Sequence, residues 1–342
     1  MGTRGLPTVV ETAAPQAHGN LAPIKAYLTA KVVDLRRQTT ELQGLSDRYY
    51  SRAQQGGFNY PALWRSNRTQ IVSLVRDARR TWMEASPLYE QMEGIVAGVP
   101  ALAEFDIVLD AGVAAGEDGD VVPFDLTLPN GRILRKPGNL FGVTESALWG
   151  TFPAYTVSAV RADFNGNGKI EFGEALPDAN VLKAASEALD RYAGELAAAA
   201  AKWQPTTSDA FTALVVMVPT MSEYFESWKH SRFLMGAAST QRDFVAISRL
   251  ADIQDILGGL EVVYGGVEPL VRSVDSTSAG QIGQRLRDLR AFVAGIHRQE
   301  RAGKRFKPED ADTLGAEAQA RATAITGQVS QAAARLNIRV QQ

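Results

Sequence analysis

Apolar residues recur at steps of three and four along nearly the whole chain, and that spacing constrains the fold more than any other feature. Ile24, Tyr27, Leu28, Val32, Leu35, Leu42, Leu45 and Tyr49 fall near one helical face, with Lys31, Arg36, Arg37 and Glu41 off it. Gly56-Gly57 breaks this stretch, and a second helical stretch covers residues 60–97 and stops before Gly98-Val99-Pro100. Later stripes are cleaner. Leu250, Ile253, Leu257, Leu260, Tyr264 and Val267 form one, Ile282, Leu286, Leu289, Val293 and Ile296 the next, and Ile325, Val329, Ala332 and Leu336 the last. Stripes of this kind bury themselves against one another, so the spacing predicts an all-α fold of antiparallel helices.

The joints between stripes divide the chain. Residues 1–23 are a Pro/Ala/Gly-rich lead-in that carries His18. Residues 24–203 read as a first helical bundle and 209–338 as a second. Between them lies Gln204-Pro205-Thr206-Thr207-Ser208-Asp209. Its Pro ends an Ala-rich helix over 186–203, and Ser208 or Asp209 is placed to cap the next. One stretch, 112–138, is not helical. Gly116-Glu117-Asp118-Gly119-Asp120 reads as a loop, and the alternating segments 125–128 and 132–135 flank Pro129-Asn130-Gly131. Asn-Gly tolerates the positive φ of a tight turn, so a small β-hairpin is expected over about 121–135.

With 36 Lys plus Arg against 38 Asp plus Glu, the formal net charge is −2. That balance lacks the basic footprint of nucleic-acid binding. The absence of Cys removes disulfides, thiolate zinc sites, iron–sulfur clusters and cysteine nucleophiles. The apolar run over 211–221 is far shorter than the ~20 residues of a membrane span. The opening Met1-Gly2-Thr3-Arg4-Gly5 shows no apolar stretch of the secretory kind.

The sharpest local motif is Asp163-Phe164-Asn165-Gly166-Asn167-Gly168-Lys169-Ile170-Glu171-Phe172-Gly173-Glu174, which fits a twelve-residue EF-hand calcium loop. Asp163, Asn165 and Asn167 offer side-chain oxygens at positions 1, 3 and 5, and Lys169 offers its backbone carbonyl. Glu171 at position 9 acts through water, Glu174 at position 12 supplies two oxygens, and Gly168 permits the sharp turn. Ile170 is expected to pack the loop on its neighbours. A lone loop reads as a structural clamp rather than a switch. Only Asp163 and Glu174 carry charge among positions 1, 3, 5 and 12, which suits calcium-rich extracytoplasmic surroundings.

Phe141-Gly142-Val143-Thr144-Glu145-Ser146-Ala147-Leu148-Trp149-Gly150 resembles the signature of the imelysin-like family, which includes periplasmic iron-uptake proteins of the EfeO type. The opening Ile24-Lys25-Ala26-Tyr27, the acidic Phe105-Asp106-Ile107-Val108-Leu109-Asp110 and the segments 219–229 and 250–259 follow in the family's order, so the resemblance covers about 24–338. It implies a bilobed helical fold and a metal site built from a His and a Glu of the signature. Glu145 stands at the Glu, but Gly142 stands where the His belongs, and Ile247 and Ser248 lie where another family His is expected. The resemblance therefore implies a second metal site of Glu145 with Asp106, Asp110 and Asp252, oxygen-rich and less selective for iron than a mixed site. Gly142→His, three residues before Glu145 on a helix, is then expected to gain affinity for iron or zinc and need not destabilise the fold, while the natural protein binds these metals weakly there.

Although the family is filed with metallopeptidases, His-Glu-x-x-His is absent, and none of the three His has a nucleophile signature nearby. No enzyme is expected. His230, within Ser227-Trp228-Lys229-His230-Ser231-Arg232, lies on an amphipathic helix with Trp228 inward. Two functions follow. One is an extracytoplasmic metal-binding protein of the iron-uptake kind, with calcium and iron as its ions and uptake components of the membrane as partners. The other is an imelysin-like scaffold with a degraded iron site that binds an envelope polymer, another ligand or a partner protein.

Overall fold

A computed structural model of the chain describes residues 19–112 and 124–341. The lead-in up to His18, the loop Gly116-Glu117-Asp118-Gly119-Asp120 and the first residues of the expected hairpin lie outside them. Among the described residues the architecture is all-α, with one two-stranded hairpin. No helix among the described residues is long and apolar enough to cross a membrane.

Helices α1 (Ala22–Gln55) and α2 (Tyr60–Val96) form a hairpin, and α5 (Ala179–Lys202) packs along α1. The stripe of α1 is buried from Ile24 to Ala53, as its spacing requires. Lys25 sits where α5 ends and its ammonium donates to the carbonyls of Ala200 (2.6 Å) and Ala201 (2.8 Å). A cation there satisfies carbonyls that the helix leaves unpaired and meets the negative end of its dipole. Between α2 and α5 come α3 (Ala103–Asp106), the π-helical segment Ile107–Ala111, the hairpin and α4 (Leu140–Trp149). The hairpin pairs β1 (Leu126–Thr127) with β2 (Ile133–Leu134) in the register Leu126↔Leu134. Gly131, at φ +82°, makes its turn.

The second half is α6 (Thr207–Met217), α7 (Met221–His230), α8 (Arg232–Met235), α9 (Arg249–Val274), α10 (Ser276–Arg301) and α11 (Pro308–Arg335). The cap of α6 is Thr206, not Ser208 or Asp209. Its hydroxyl accepts from the Asp209 N–H (3.0 Å) while the Asp209 carboxylate accepts from the Thr206 N–H (2.9 Å), a reciprocal box that holds the residue one turn ahead of the expected cap. Helix α9 packs on α10 within this half and on α2 across the seam. One continuous apolar core runs through both halves. The seam between α2 and α9 positions the site.

Candidate metal centre

Glu90 and Glu93, three residues apart on α2, project from one face of the helix into the seam. They are 1% and 4% exposed. Asp110 meets them from the π-helical segment, 5% exposed. One carboxylate oxygen of each lies within 4.8 Å of the other two. Ligands on one ion at bond lengths of roughly 2.0–2.4 Å lie no farther apart than that. Among the described residues this is the one set of three or more His, Asp or Glu side chains so disposed. Asp110 lies on a π-helical segment, a feature frequent at functional sites.

The neighbours are polar and as deeply buried. The Tyr89 hydroxyl donates to Asp106 Oδ1 (2.6 Å), and the Tyr224 hydroxyl to Glu93 Oε1 (2.5 Å). Arg249, in the first turn of α9, bonds Asp252 Oδ2 through Nη1 (2.8 Å) and approaches Glu90 Oε1 (3.7 Å). Its guanidinium lies between the rings of Phe244 (3.8 Å) and Tyr224 (4.5 Å). Five buried carboxyl groups thus face one arginine. Glu90 Oε2 and Glu93 Oε2 are buried with no hydrogen-bond partner. An ionised carboxylate left so costs far more than a paired one, so these oxygens either hold protons or face a cation.

Burial pushes the carboxyl groups of Glu90 and Asp110 well up, and the neighbouring acids add to it. Asp106 is pushed to about 7 by burial and by Glu93, against the Tyr89 hydroxyl. Asp252 is held to about 6, because burial raises it while Arg249 pulls it back. Burial alone would lower Arg249, but Asp252 and Glu90 outweigh it and keep its charge. The donor set is all oxygen, which suits a hard cation rather than a thiophilic one.

Of the four residues expected to form the second site, the structure brings Asp110 into this set and places Asp106 and Asp252 at its edge, occupied by Tyr89 and Arg249. Glu145 is not one of the set. It is 1% exposed, and both of its oxygens accept backbone N–H groups: Oε2 from Phe244 (2.6 Å), Oε1 from Val245 (2.9 Å) and Ala246 (2.8 Å). Burial raises its carboxyl to about 8, with the three amides pulling the other way. Gly142 sits at the third position of α4, its N–H on the capping Asn139 Oδ1 (2.6 Å). A Cβ there would stand 2.7 Å from Asp243 Oδ2, so Asp243 fills the room a histidine would need. Gly142→His must therefore displace the Asp243 side chain. Gly142 and Asp243 line a cavity of about 260 Å³ with Asn139, Ser146 and Phe152. Phe141 and Trp149 pack around Trp82, as expected of core residues.

The loop over 163–174 is closed by side-chain-to-amide hydrogen bonds. Asp163 accepts from the N–H of Gly166 (2.6 Å) and Gly168 (2.8 Å), Asn165 from Asn167 (2.9 Å) and Asn167 from Lys169 (2.8 Å). Glu174 reaches back to the N–H of Phe164 (2.9 Å), Asn165 (3.1 Å) and Glu171 (2.9 Å). Glu171 accepts from Asn165 Nδ2 (3.0 Å). Amide donors, that of Gly168 first, hold the Asp163 carboxyl below its ordinary range. No helix flanks the loop on either side, and Ile170 is 45% exposed rather than packed. Phe164 takes the packing role instead, buried and stacked on Trp64. His230, exposed at the end of α7, lies against Glu226 Oε1 (2.8 Å), while Trp228 points inward to Glu300.

The segment that carries Asp110, the α4 signature and the first turn of α9 all fall within residues 25–330, which match the family description Imelysin (Peptidase_M75). No curated relative matches the chain. A match over most of the sequence, on an all-α fold, establishes that the chain belongs to the imelysin family.

Proposed function

We propose that the protein is a non-catalytic, extracytoplasmic metal-binding protein of the EfeO-like, iron-uptake kind, with its ion taken by Glu90, Glu93 and Asp110. The observation that carries this reading is the pair of buried, unpartnered oxygens on Glu90 and Glu93 within one ion's reach of Asp110. Three hard oxygens suit iron as cargo, and equally manganese or cobalt as probes of the site. Asp106 and Asp252 would hold Tyr89 and Arg249 at its rim. Although the family carries a peptidase name, a set without imidazole or thiolate offers none of the ligand patterns of zinc hydrolases. Cobalt(II) titration with calcium in excess tests the reading. The natural protein should bind one ion, and Glu90→Gln with Glu93→Gln should lower affinity by about a hundredfold or more. Undiminished binding by the double variant would defeat the assignment.

The loop over 163–174 supports a second, structural ion in the same reading. Asp163, Asn165, Asn167, the Lys169 carbonyl, Glu171 and Glu174 would hold calcium, and the two charges among its principal positions suit extracytoplasmic concentrations. Calcium should raise the melting temperature of chelator-treated protein, and Glu174→Ala should lose that rise. Equal rises in both proteins would rule out the loop as the calcium site.

The alternative, an imelysin-like scaffold with a degraded iron site that binds an envelope polymer, another ligand or a partner protein, is favoured by one observation. Asp243 occupies the room beside Gly142 and shapes the polar cavity there.

A further inference from the structure

The buried Glu145 carboxyl accepts three successive backbone amides of the segment that joins α8 to α9. The first donor, Phe244, has φ +52°, a left-handed conformation that is strained for a bulky residue unless its surroundings hold it. The three hydrogen bonds to the buried Glu145 carboxyl are what hold it. The consequence lies on the other side of Phe244. Its ring, half-buried, rests on the Arg249 guanidinium, and Arg249 in turn rests on Glu90 and Asp252. A stack therefore leads from solvent through Phe244 and Arg249 to the buried carboxylates, and Glu145 pins its outermost member.

We propose that Glu145 is the positioning residue of a gate: it latches the segment 240–248 so that Phe244 and Arg249 close the carboxylate centre, and ions pass when the latch lets go. The proposal rests on the carboxylate reading above. It gives Glu145 a role other than that of a ligand, consistent with both of its oxygens being taken up by amides. The latch acts on passage rather than as a ligand, because Glu145 bonds the segment and not the ion's three carboxylates. Release of the segment exposes Arg249, whose Nε has no partner, and lets the guanidinium swing away from Glu90. Ser248, the cap of α9, marks the far end of the hinged segment.

The test is stopped-flow uptake and chelator-driven release of cobalt(II) by the full chain, with calcium in excess, together with hydrogen exchange at the amides of residues 244–246. In Glu145→Gln, uptake and release should both accelerate by about tenfold or more, with affinity changing far less. The three amides should lose protection at the same time. Phe244→Gly keeps the left-handed backbone at no steric cost and removes only the ring, so it should accelerate exchange while the amides stay protected. This second variant leaves the buried carboxylate alone and guards against an unfolded Glu145→Gln. Cobalt uptake at natural strength, with all three proteins exchanging ions alike, would overturn the gate. So would faster release with unaltered uptake, which would mean that Glu145 acts on the bound state. No uptake by the natural protein would overturn the carboxylate centre, and the gate with it.

Discussion

Arg249→Met should destabilise the metal-free protein by about 3–5 kcal/mol near neutral pH, the usual cost of removing one partner from a buried charge pair. Arg249 is the cation that bonds Asp252 and approaches Glu90, and both acids are almost fully buried. Met roughly preserves the volume between Phe244 and Tyr224, so the loss reports charge rather than a cavity. Denaturant unfolding in the presence of a chelator measures it. The penalty should shrink near pH 5, because Asp252 and Asp106, pushed to about 6 and about 7, are then neutral. A penalty below about 1 kcal/mol at neutral pH would mean that the centre carries no net charge for Arg249 to offset.

The metal-free natural protein should lose stability as pH rises, a direction opposite to ordinary acid denaturation. Asp252, Asp106 and Glu145 have folded values of about 6, about 7 and about 8, each above its ordinary value. The folded state keeps these protons when the unfolded chain has already released them. The stability they contribute is therefore fully present below about pH 4 and is lost through about 6, 7 and 8 in turn. The expected loss between pH 5 and 8 is roughly 5–8 kcal/mol, at about 1.4 kcal/mol for each pH unit below a folded value. Asp163 is shifted the other way, and its contribution is lost only as pH falls below the ordinary carboxylate range, outside this window. Adding manganese at pH 8 should raise the stability again, since an ion held by Glu90, Glu93 and Asp110 binds only the folded state. Melting temperatures that stay flat or rise from pH 5 to 8 would contradict the assignment of buried, neutral acids.

The helices were legible because burial follows their stripes. Ile24 to Ala53 in α1 and Ile282 to Ile296 in α10 are buried at the positions their spacing marks. The hairpin was legible from Asn130-Gly131 alone. The centre was legible only in part. Asp110 stood in a conspicuous acidic segment, whereas Glu90 and Glu93 read as two ordinary charges on a long helix. A signal was present: Trp82, Ser86, Glu90 and Glu93 share one stripe, and Trp82, Ser86 and Tyr89 are buried with them. Acids at apolar-stripe positions belong to a buried site more often than to a surface. Glu145 was legible as important but not in its role, because its three amide partners lie about a hundred residues away. Ile170 was misplaced for a different reason. In a helix-flanked loop that position packs on a neighbour, but here helices are absent on both sides and Phe164 docks the loop on α2 through Trp64.

The account stands on where the ion goes. Anomalous scattering from crystals of the full chain soaked in manganese, recorded with calcium present, locates it directly. The account predicts a peak among Glu90, Glu93 and Asp110, within bonding distance of all three and absent from the Glu90→Gln, Glu93→Gln variant. A peak instead beside Gly142 and Glu145, with those three carboxylates unliganded, would contradict it.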